Sequence, residues 1–232
     1  MIFQDPMTAL NPVVTIGKQM TETILCHEKV TKEEAKERAI ALLEKVGIHP
    51  GKERFNSYPF EMSGGQLQRV CIAMSLLCNP RLLIADEPTT ALDVTTQAQV
   101  MELLLNVVKT YHTSLIVVTH NLGLVSRYAD RIYVMYAGRV VESGTTEALL
   151  TNPQHPYTKG LLSAVPKLDG DKGGKLVPIP GAPPNLAKLD DKCAFLPRCP
   201  YAQECCKQQP YPESKLVGEQ AHCCACHLAK AR

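Results

Sequence analysis

Arg81-Leu-Leu-Ile-Ala-Asp86-Glu87-Pro88 is a short apolar run that ends abruptly in two acids and a proline. Downstream, residues 95–111 read as an amphipathic helix, and Ser114-Leu-Ile-Val-Val-Thr119 is a second apolar run of strand length. Strand, helix, strand is the βαβ alternation of a parallel sheet covered by helices. Ligands in open sheets of this kind bind beyond the carboxyl ends of the strands, which is where Asp86 and Glu87 fall. Asp86 is suited to hold a magnesium ion, directly or through water, and Glu87 to polarise an attacking water. A lone Asp-Glu more often marks a solvated turn, so the neighbouring residues have to decide.

Upstream, residues 1–12 carry an Asp-Pro and an Asn-Pro and read as a loop. Thr31-Lys-Glu-Glu opens a helix whose Thr31 and Glu34 fit a capping box, and the helix stops at Gly47. After Ser57-Tyr-Pro-Phe, the glycines of Met62-Ser63-Gly64-Gly65-Gln66 lead into a helix expected over 66–78, with Val70, Ala73, Met74 and Leu77 at helical spacing. Glycines before a helix let backbone N–H groups approach a phosphate, and the helix N-terminus adds favourable partial charge. Downstream, residues 121–128 read as a helix. Residues 131–136 and 139–142 read as strands joined at Ala137-Gly138, a hairpin with which the sheet is expected to end. Short helices follow at 145–150 and 155–165. The Gly-, Pro- and Lys-rich stretch 167–192 reads as a linker, and the cysteine-rich tail as a small separate module.

The order of Ser63-Gly64-Gly65-Gln66, Gln68-Arg69-Val70, Asp86-Glu87, Thr89-Thr-Ala-Leu-Asp93 and Val118-Thr-His120 closely resembles the ATP-binding-cassette ATPases. The resemblance implies a P-loop NTPase parallel sheet with a helical subdomain, and ATP and Mg²⁺ as ligands. It makes Ser63, Gly64, Gly65 and Gln66 the signature motif, which contacts the γ-phosphate of ATP held by the opposite subunit. Asp86 and Glu87 become the Walker B acids, Asp93 belongs to the loop that signals across the dimer, and His120 is the switch histidine. Gln4, in Phe3-Gln4-Asp5-Pro6, matches the glutamine that senses magnesium and touches the membrane partner. Met62 stands where the family has leucine, a volume-conserving exchange.

No G-x-x-x-x-G-K-[ST] occurs in these 232 residues. Gly170-Asp-Lys-Gly-Gly-Lys175 has the wrong spacing and Leu176 where a hydroxyl is required. In the family that loop lies upstream of the glutamine, so the sequence is expected to begin after it. A truncated gene, a start codon assigned too late and a split subunit completed by another chain all account for this. The loop's backbone cradle and lysine supply most of the grip on the β- and γ-phosphates. Its absence therefore leaves two functional readings open. One is an ATP-hydrolysing subunit; the other is a catalytically incompetent fragment or half-subunit that supplies the signature motif in trans and carries a metal-binding tail.

Seven of the ten cysteines crowd into the last forty positions, and such clustering in a reducing compartment suggests metal before disulfide. The run Cys193-Ala-Phe-Leu-Pro-Arg-Cys199-Pro-Tyr-Ala-Gln-Glu-Cys205-Cys206, with Ala225-Cys226-His227, resembles the C-terminal extension of oligopeptide and dipeptide transporter ATPases. Asn152-Pro-Gln-His-Pro-Tyr-Thr and Pro180-Gly-Ala-Pro-Pro agree with it. Peptide uptake is the implied substrate class, although nickel and sugar importers share the pattern. Family spacing picks Cys193, Cys199, Cys206 and Cys226, which some members use to hold a four-iron, four-sulfur cluster. Zinc in a Cys₄ or Cys₃His site with His222 or His227, and reduced structural thiols, remain as alternatives.

The resulting division is 1–78 for the glutamine loop and signature subdomain, 79–150 for the catalytic half-core, and 151–232 for the extension. The implied partners are a second ATPase subunit, two transmembrane permease subunits and, indirectly, a substrate-binding protein. The implied address is the cytoplasmic face of the membrane. The 25 basic and 23 acidic side chains are interspersed and form no basic stripe, which argues against nucleic acid. The longest apolar runs fall far short of the roughly 20 residues of a membrane span. The start, Met-Ile-Phe-Gln-Asp-Pro, lacks the features of a signal peptide.

Overall fold

The computed structural model describes residues 1–90, 92–164, 178–218 and 221–229. Two compact units divide it, residues 1–120 and 121–232. The Gly170–Lys175 stretch and Leu176 lie outside the described residues.

The first unit is largely helical around a small parallel sheet. Strand β1 (Leu82–Asp86) pairs in parallel with β2 (Ser114–Val118), with Asp86 opposite Val118. Their crossover is the helix over Val94–Thr110, which buries Val100, Met101, Leu104, Val107 and Val108 on one face, as the βαβ reading requires. On one face of the strand pair Leu82, Ile116 and Val118 stay about half exposed, at 49%, 48% and 49%.

Residues 1–12 are not the loop expected. Ile2 is fully buried and bridges Ala85 in parallel. It donates to the carbonyl of Ile84 at 2.8 Å and accepts from the amide of Asp86 at 3.0 Å, extending the sheet on the other edge of β1. Asp5 then caps helix α1 (Pro6–Ala9), its carboxylate accepting from the amide of Met7. Helix α2 (Ile16–His27) has no counterpart among the expected elements, although Ile16, Met20 and Ile24 recur every four residues and are all fully buried.

Helix α3 (Lys32–Lys45) starts where expected: the Thr31 hydroxyl accepts from the amide of Glu34 at 3.2 Å. It ends in a Schellman motif, with Gly47 at φ +78° and the amides of Gly47 and Ile48 bonded to the carbonyls of Glu44 and Leu43. A short turn of helix α4 (Gly51–Arg54) and a 3₁₀ turn (Pro59–Glu61) lead into α5 (Gly64–Leu76). Helix α5 begins two residues earlier than expected because Ser63 is already its cap. It also ends two residues earlier, where Asn79 takes φ +46° and its amide bonds to the carbonyl of Leu76. The crossover helix Val94–Thr110 is α6.

The second unit opens with α7 (Leu122–Tyr128). The hairpin of β3 (Arg131–Tyr136) and β4 (Arg139–Thr145) turns through Ala137 at φ +49° and Gly138 at φ +78°, the left-handed pair of a tight two-residue turn. The sheet does not end there, as the sequence suggests it should. Strand β4 pairs antiparallel with the tail: Glu142 lies opposite Cys224 and Ser143 opposite Cys223, and that strand in turn pairs with Lys215–Leu216. Between these come α8 (Thr146–Thr151), α9 (Pro156–Ser163) and α10 (Glu204–Gln208); the two tail strands are β5 (Lys215–Leu216) and β6 (Cys223–Cys224).

The tail therefore cannot be a separate module. Phe195 is 2% exposed and packs with Tyr136 and Val141 as the core of this unit. Its ring meets Tyr136 edge-on at 5.3 Å and Tyr157 at 5.5 Å. Aromatic pairs of this kind contribute about 0.5–1.5 kcal/mol each beyond area burial. Arg198 closes the arrangement, donating to the Tyr136 hydroxyl and to the carbonyls of Ile179 and Pro180.

Candidate functional site

The parallel pairing sets the first group of residues. Asp86 ends β1, and the next residue, Glu87, turns into the left-handed region at φ +47° while its amide donates to the carbonyl of Val118. That bend carries the Glu87 carboxylate to the end of β2. Its Oε1 accepts from the His120 amide at 3.1 Å and lies 2.7 Å from His120 Nδ1, while Oε2 accepts from the Thr90 hydroxyl at 2.7 Å. Burial opposes ionisation of Glu87, but the hydrogen bonds from Thr90 and His120 outweigh it and hold the carboxyl below its usual range. With Nδ1 engaged, the His120 ring leaves Nε2 as its outward polar atom on a side chain that is 77% exposed. A carboxylate braced on one side can accept a proton from water on the other, and an exposed imidazole can face a phosphate.

Asp86 is half-buried, and no hydrogen bond or ion pair engages its carboxylate among the described residues. A free carboxylate at the carboxyl end of a strand fits a magnesium ligand. Gln4 is exposed and lies two residues beyond Ile2, whose carbonyl receives the Asp86 amide.

A second group forms around the start of α5. Ser63 and Gln66 make a reciprocal capping box: the Ser63 hydroxyl accepts from the Gln66 amide, and the Gln66 side chain accepts from the Ser63 amide at 3.0 Å. The amides of Gly64 and Gly65 in the first turn have no intrahelical acceptor and are available to an anion. A Cβ on Gly65 would lie 3.0 Å from the Thr96 methyl, so glycine is what lets α5 start this close to α6. Asp93 caps α6, accepting from the amides of Thr95 and Thr96 and from the Thr96 hydroxyl at 2.6 Å. Those bonds, led by the Thr96 hydroxyl, hold its carboxyl below the usual range.

Ser63, Gly64, Gly65, Gln66 and Asp93 line one open groove of about 500 Å³, together with Arg69. Glu87 and His120 do not line it. The predicted residues therefore fall into two places within the first unit, acids with switch histidine and signature with Asp93.

A third group lies in the second unit. Cys193, Cys199, Cys206 and Cys226 line a single cavity of about 20 Å³, with His155 and Phe195. These are the four cysteines picked out by family spacing; Cys205, Cys223 and Cys224 are not on its wall. Burial raises the thiols of Cys193, Cys199 and Cys226 above their usual value. Among the described residues no three His, Cys, Asp or Glu side chains close round one point as ligands of a metal ion. His222 is excluded from the cavity: its Nε2 lies 2.8 Å from Glu142, and both residues are buried.

Sequence reasoning misses Glu142 and His155. The buried Glu142 carboxylate accepts from the Gln154 amide at 2.6 Å and the His155 amide at 2.9 Å as well as facing His222. It thereby ties β4 to the loop before α9 and to the segment before β6. His155 caps α9, its Nδ1 accepting from the Tyr157 amide at 3.1 Å, and burial pushes its pKa down to about 4. The one sequence signal is Asn-Pro-Gln-His-Pro, which supports the family resemblance but gives the histidine no role.

Residues 1–90 match the ABC transporter family, and residues 141–206 the C-terminal region of the oligopeptide/dipeptide transporter family. The oligopeptide transport ATP-binding protein OppD of Salmonella typhimurium is 48% identical over 96% of this chain and 66% of its own length. AppD of Bacillus subtilis, also an oligopeptide transport ATP-binding protein, is 49% identical over 96% of this chain and 68% of its own length. For the dipeptide transport ATP-binding protein DppD of the same organism the figures are 47%, 100% and 68%. The chain thus spans about two thirds of the length of such relatives, and 60% of OppD of Bacillus subtilis. Among solved structures, the dimeric ATP-binding cassette MJ0796 bound to ADP and Pi aligns with a TM-score of 0.53 at 30% identity, covering 62% of this chain and 61% of that one. The cbiO1 protein of Clostridium perfringens, part of the cbiONQ ABC transporter complex, aligns at 0.57 and 29%, covering 65% and 58%.

Proposed function

This chain belongs to the ATP-binding proteins of oligopeptide and dipeptide ABC transport, and we propose that it helps energise import of peptides by binding and hydrolysing ATP within a nucleotide-binding dimer. The observation that carries this is the separation of the signature groove from the Glu87–His120 pair, which leaves each as half of a site. In this reading Ser63, with the amides of Gly64 and Gly65, receives the γ-phosphate of ATP held by a second ATPase subunit, and Gln66 and Asp93 hold that surface in shape. Glu87 takes a proton from the attacking water, and His120 faces the γ-phosphate through Nε2. Asp86, with Gln4 nearby, serves Mg²⁺, which neutralises charge on the phosphates. The further partners are two permease subunits and, through them, a substrate-binding protein, with the chain peripheral on the cytoplasmic face of the membrane. No helix among the described residues is long and apolar enough to cross a membrane.

The test is ATP hydrolysis by the chain alone and with an intact partner ATPase. Turnover by the isolated chain that falls about 100-fold or more in Glu87→Gln would assign catalysis to its own acids. Turnover only in the mixture would assign it the signature role in trans. Silence in both assays would contradict the proposal.

The cysteine cavity supports a second site in the same protein. Cys193, Cys199, Cys206 and Cys226 would hold a four-iron, four-sulfur cluster, which supplies one-electron chemistry or a structural cross-link when bound. What supports this reading is that all four cysteines line one cavity. The buried Tyr211 hydroxyl also has no hydrogen-bond partner among the described residues, and its environment includes Cys193 and Cys224. Visible absorbance after anaerobic purification, lost in Cys199→Ser, is the expected result. A colourless protein with no iron contradicts it, and stoichiometric zinc would favour that metal instead.

A further inference from the structure

Glu87 and Asp93 belong to different half-sites, yet both ends of the segment between them are held from one residue. Gln97 stands one turn into α6. Its backbone amide donates to the Asp93 carbonyl at 2.8 Å, and its side-chain amide donates to the carbonyls of Thr89 at 3.0 Å and Leu92 at 3.1 Å. A carbonyl can only accept, so the side-chain atom that faces both is the nitrogen, and the two bonds need a donor there. The Thr89 carbonyl also accepts from the Leu92 amide at 3.1 Å, and Thr89 is buried. Toward one half-site, the Thr90 hydroxyl bonds one oxygen of Glu87, whose other oxygen faces His120. Toward the other, Leu92 and Asp93 line the signature groove, and the Leu92 side chain comes within 3.9 Å of where a Cβ on Gly64 would lie.

We propose that Gln97 is a positioning residue for hydrolysis, a brace that sets the signature groove and the Glu87–His120 pair in register through the carbonyls it holds. The inference rests on the dimer reading given above. Gln97 supplies no group to the reaction and acts through Thr89, Leu92 and Asp93. Without its donor, two carbonyls of a partly buried turn lose a partner and the turn shifts. A misplacement of about 1 Å, made away from the chemistry, can cost on the order of 100-fold in rate. The fold should outlast the change, since α6 keeps its Asp93 cap and its buried face of Val100, Met101, Leu104, Val107 and Val108.

Two substitutions separate the donor from the space it fills. Gln97→Met keeps the length of the side chain and has no donor, while Gln97→Glu keeps the shape and sets an acceptor against the two carbonyls. Each full-length variant is titrated into an intact partner ATPase at saturating ATP, and two quantities are read: the kcat reached at saturating chain, and the chain concentration that gives half of it. A residue needed only for folding lowers the folded fraction, so more chain is required but the same plateau is reached. The expected result is a plateau lowered about tenfold in both variants, with the half-point within about twofold of wild type, the pattern of an interaction that counts in the transition state. A wild-type plateau in either variant overturns the role of Gln97 and leaves the dimer reading standing. A wild-type chain that does not stimulate the partner overturns this inference, and one that is also silent by itself overturns the dimer reading with it.

Discussion

The signature groove and the cysteine cavity are built by opposite means. At the groove, each functional side chain also holds the local backbone, with Ser63 capping α5, Gln66 returning the bond and Asp93 capping α6. The partners lie two or three residues apart. At the cavity nothing is local. Four cysteines spread from 193 to 226 are gathered by a sheet pairing between residues 142 and 224 and by one buried carboxylate that reaches residues 154, 155 and 222. The groove should therefore survive most single changes, and the cavity should fail as a unit.

Glu142→Ala is the sharpest way to break that contrast. It leaves two backbone amides and His222 without their acceptor in a fully buried place, and removing one partner from such a group costs about 3–5 kcal/mol. Chemical denaturation followed by a probe in each unit should show the second unit lost and the first nearly unchanged. Equal destabilisation of both would erase the distinction.

Ser63→Ala probes the other side. Loss of the cap should cost about 1 kcal/mol of stability at α5, readable as a small shift in the denaturation midpoint, with the fold kept. A collapse of the first unit would mean that the groove is not locally made.

The smallest effect concerns Glu87. Its folded pKa is depressed, so its bonds add stability that is complete above the unfolded value and disappears as pH falls through the lower folded value. In Thr90→Ala the folded value rises, so that loss should be smaller and end at higher pH. Carboxyl chemical shifts followed by NMR across acidic pH would show the Glu87 midpoint moved upward; an unchanged midpoint would remove Thr90 from the account.

The same contrast explains what is legible in the sequence. The N-cap at Thr31, the stop at Gly47, the acids after β1 and the turn at Ala137-Gly138 are short-range chemistry, and each stands where the residues place it, although Glu34 does not return the bond that a full capping box requires. Ile2 reads as loop because one buried residue making a single bridge has no periodicity to reveal it. Strand β6 is two residues long and its partner lies some 80 positions upstream, so the tail looks independent in the sequence although Phe195 is core. Helix α2 does carry a readable signal, its Ile16, Met20 and Ile24 marking one buried face. The family resemblance chooses four cysteines, but the place of Glu142 and His155 beside them depends on the fold.

The most direct test of the account is hydrolysis by a partner ATPase mixed with this chain carrying Ser63→Arg, which fills the groove with a long cationic side chain. Stimulation by the wild-type chain that drops at least about tenfold in Ser63→Arg, with helix content by circular dichroism unchanged, is the result predicted for a groove that completes the partner's site. Hydrolysis indifferent to Ser63→Arg would contradict it.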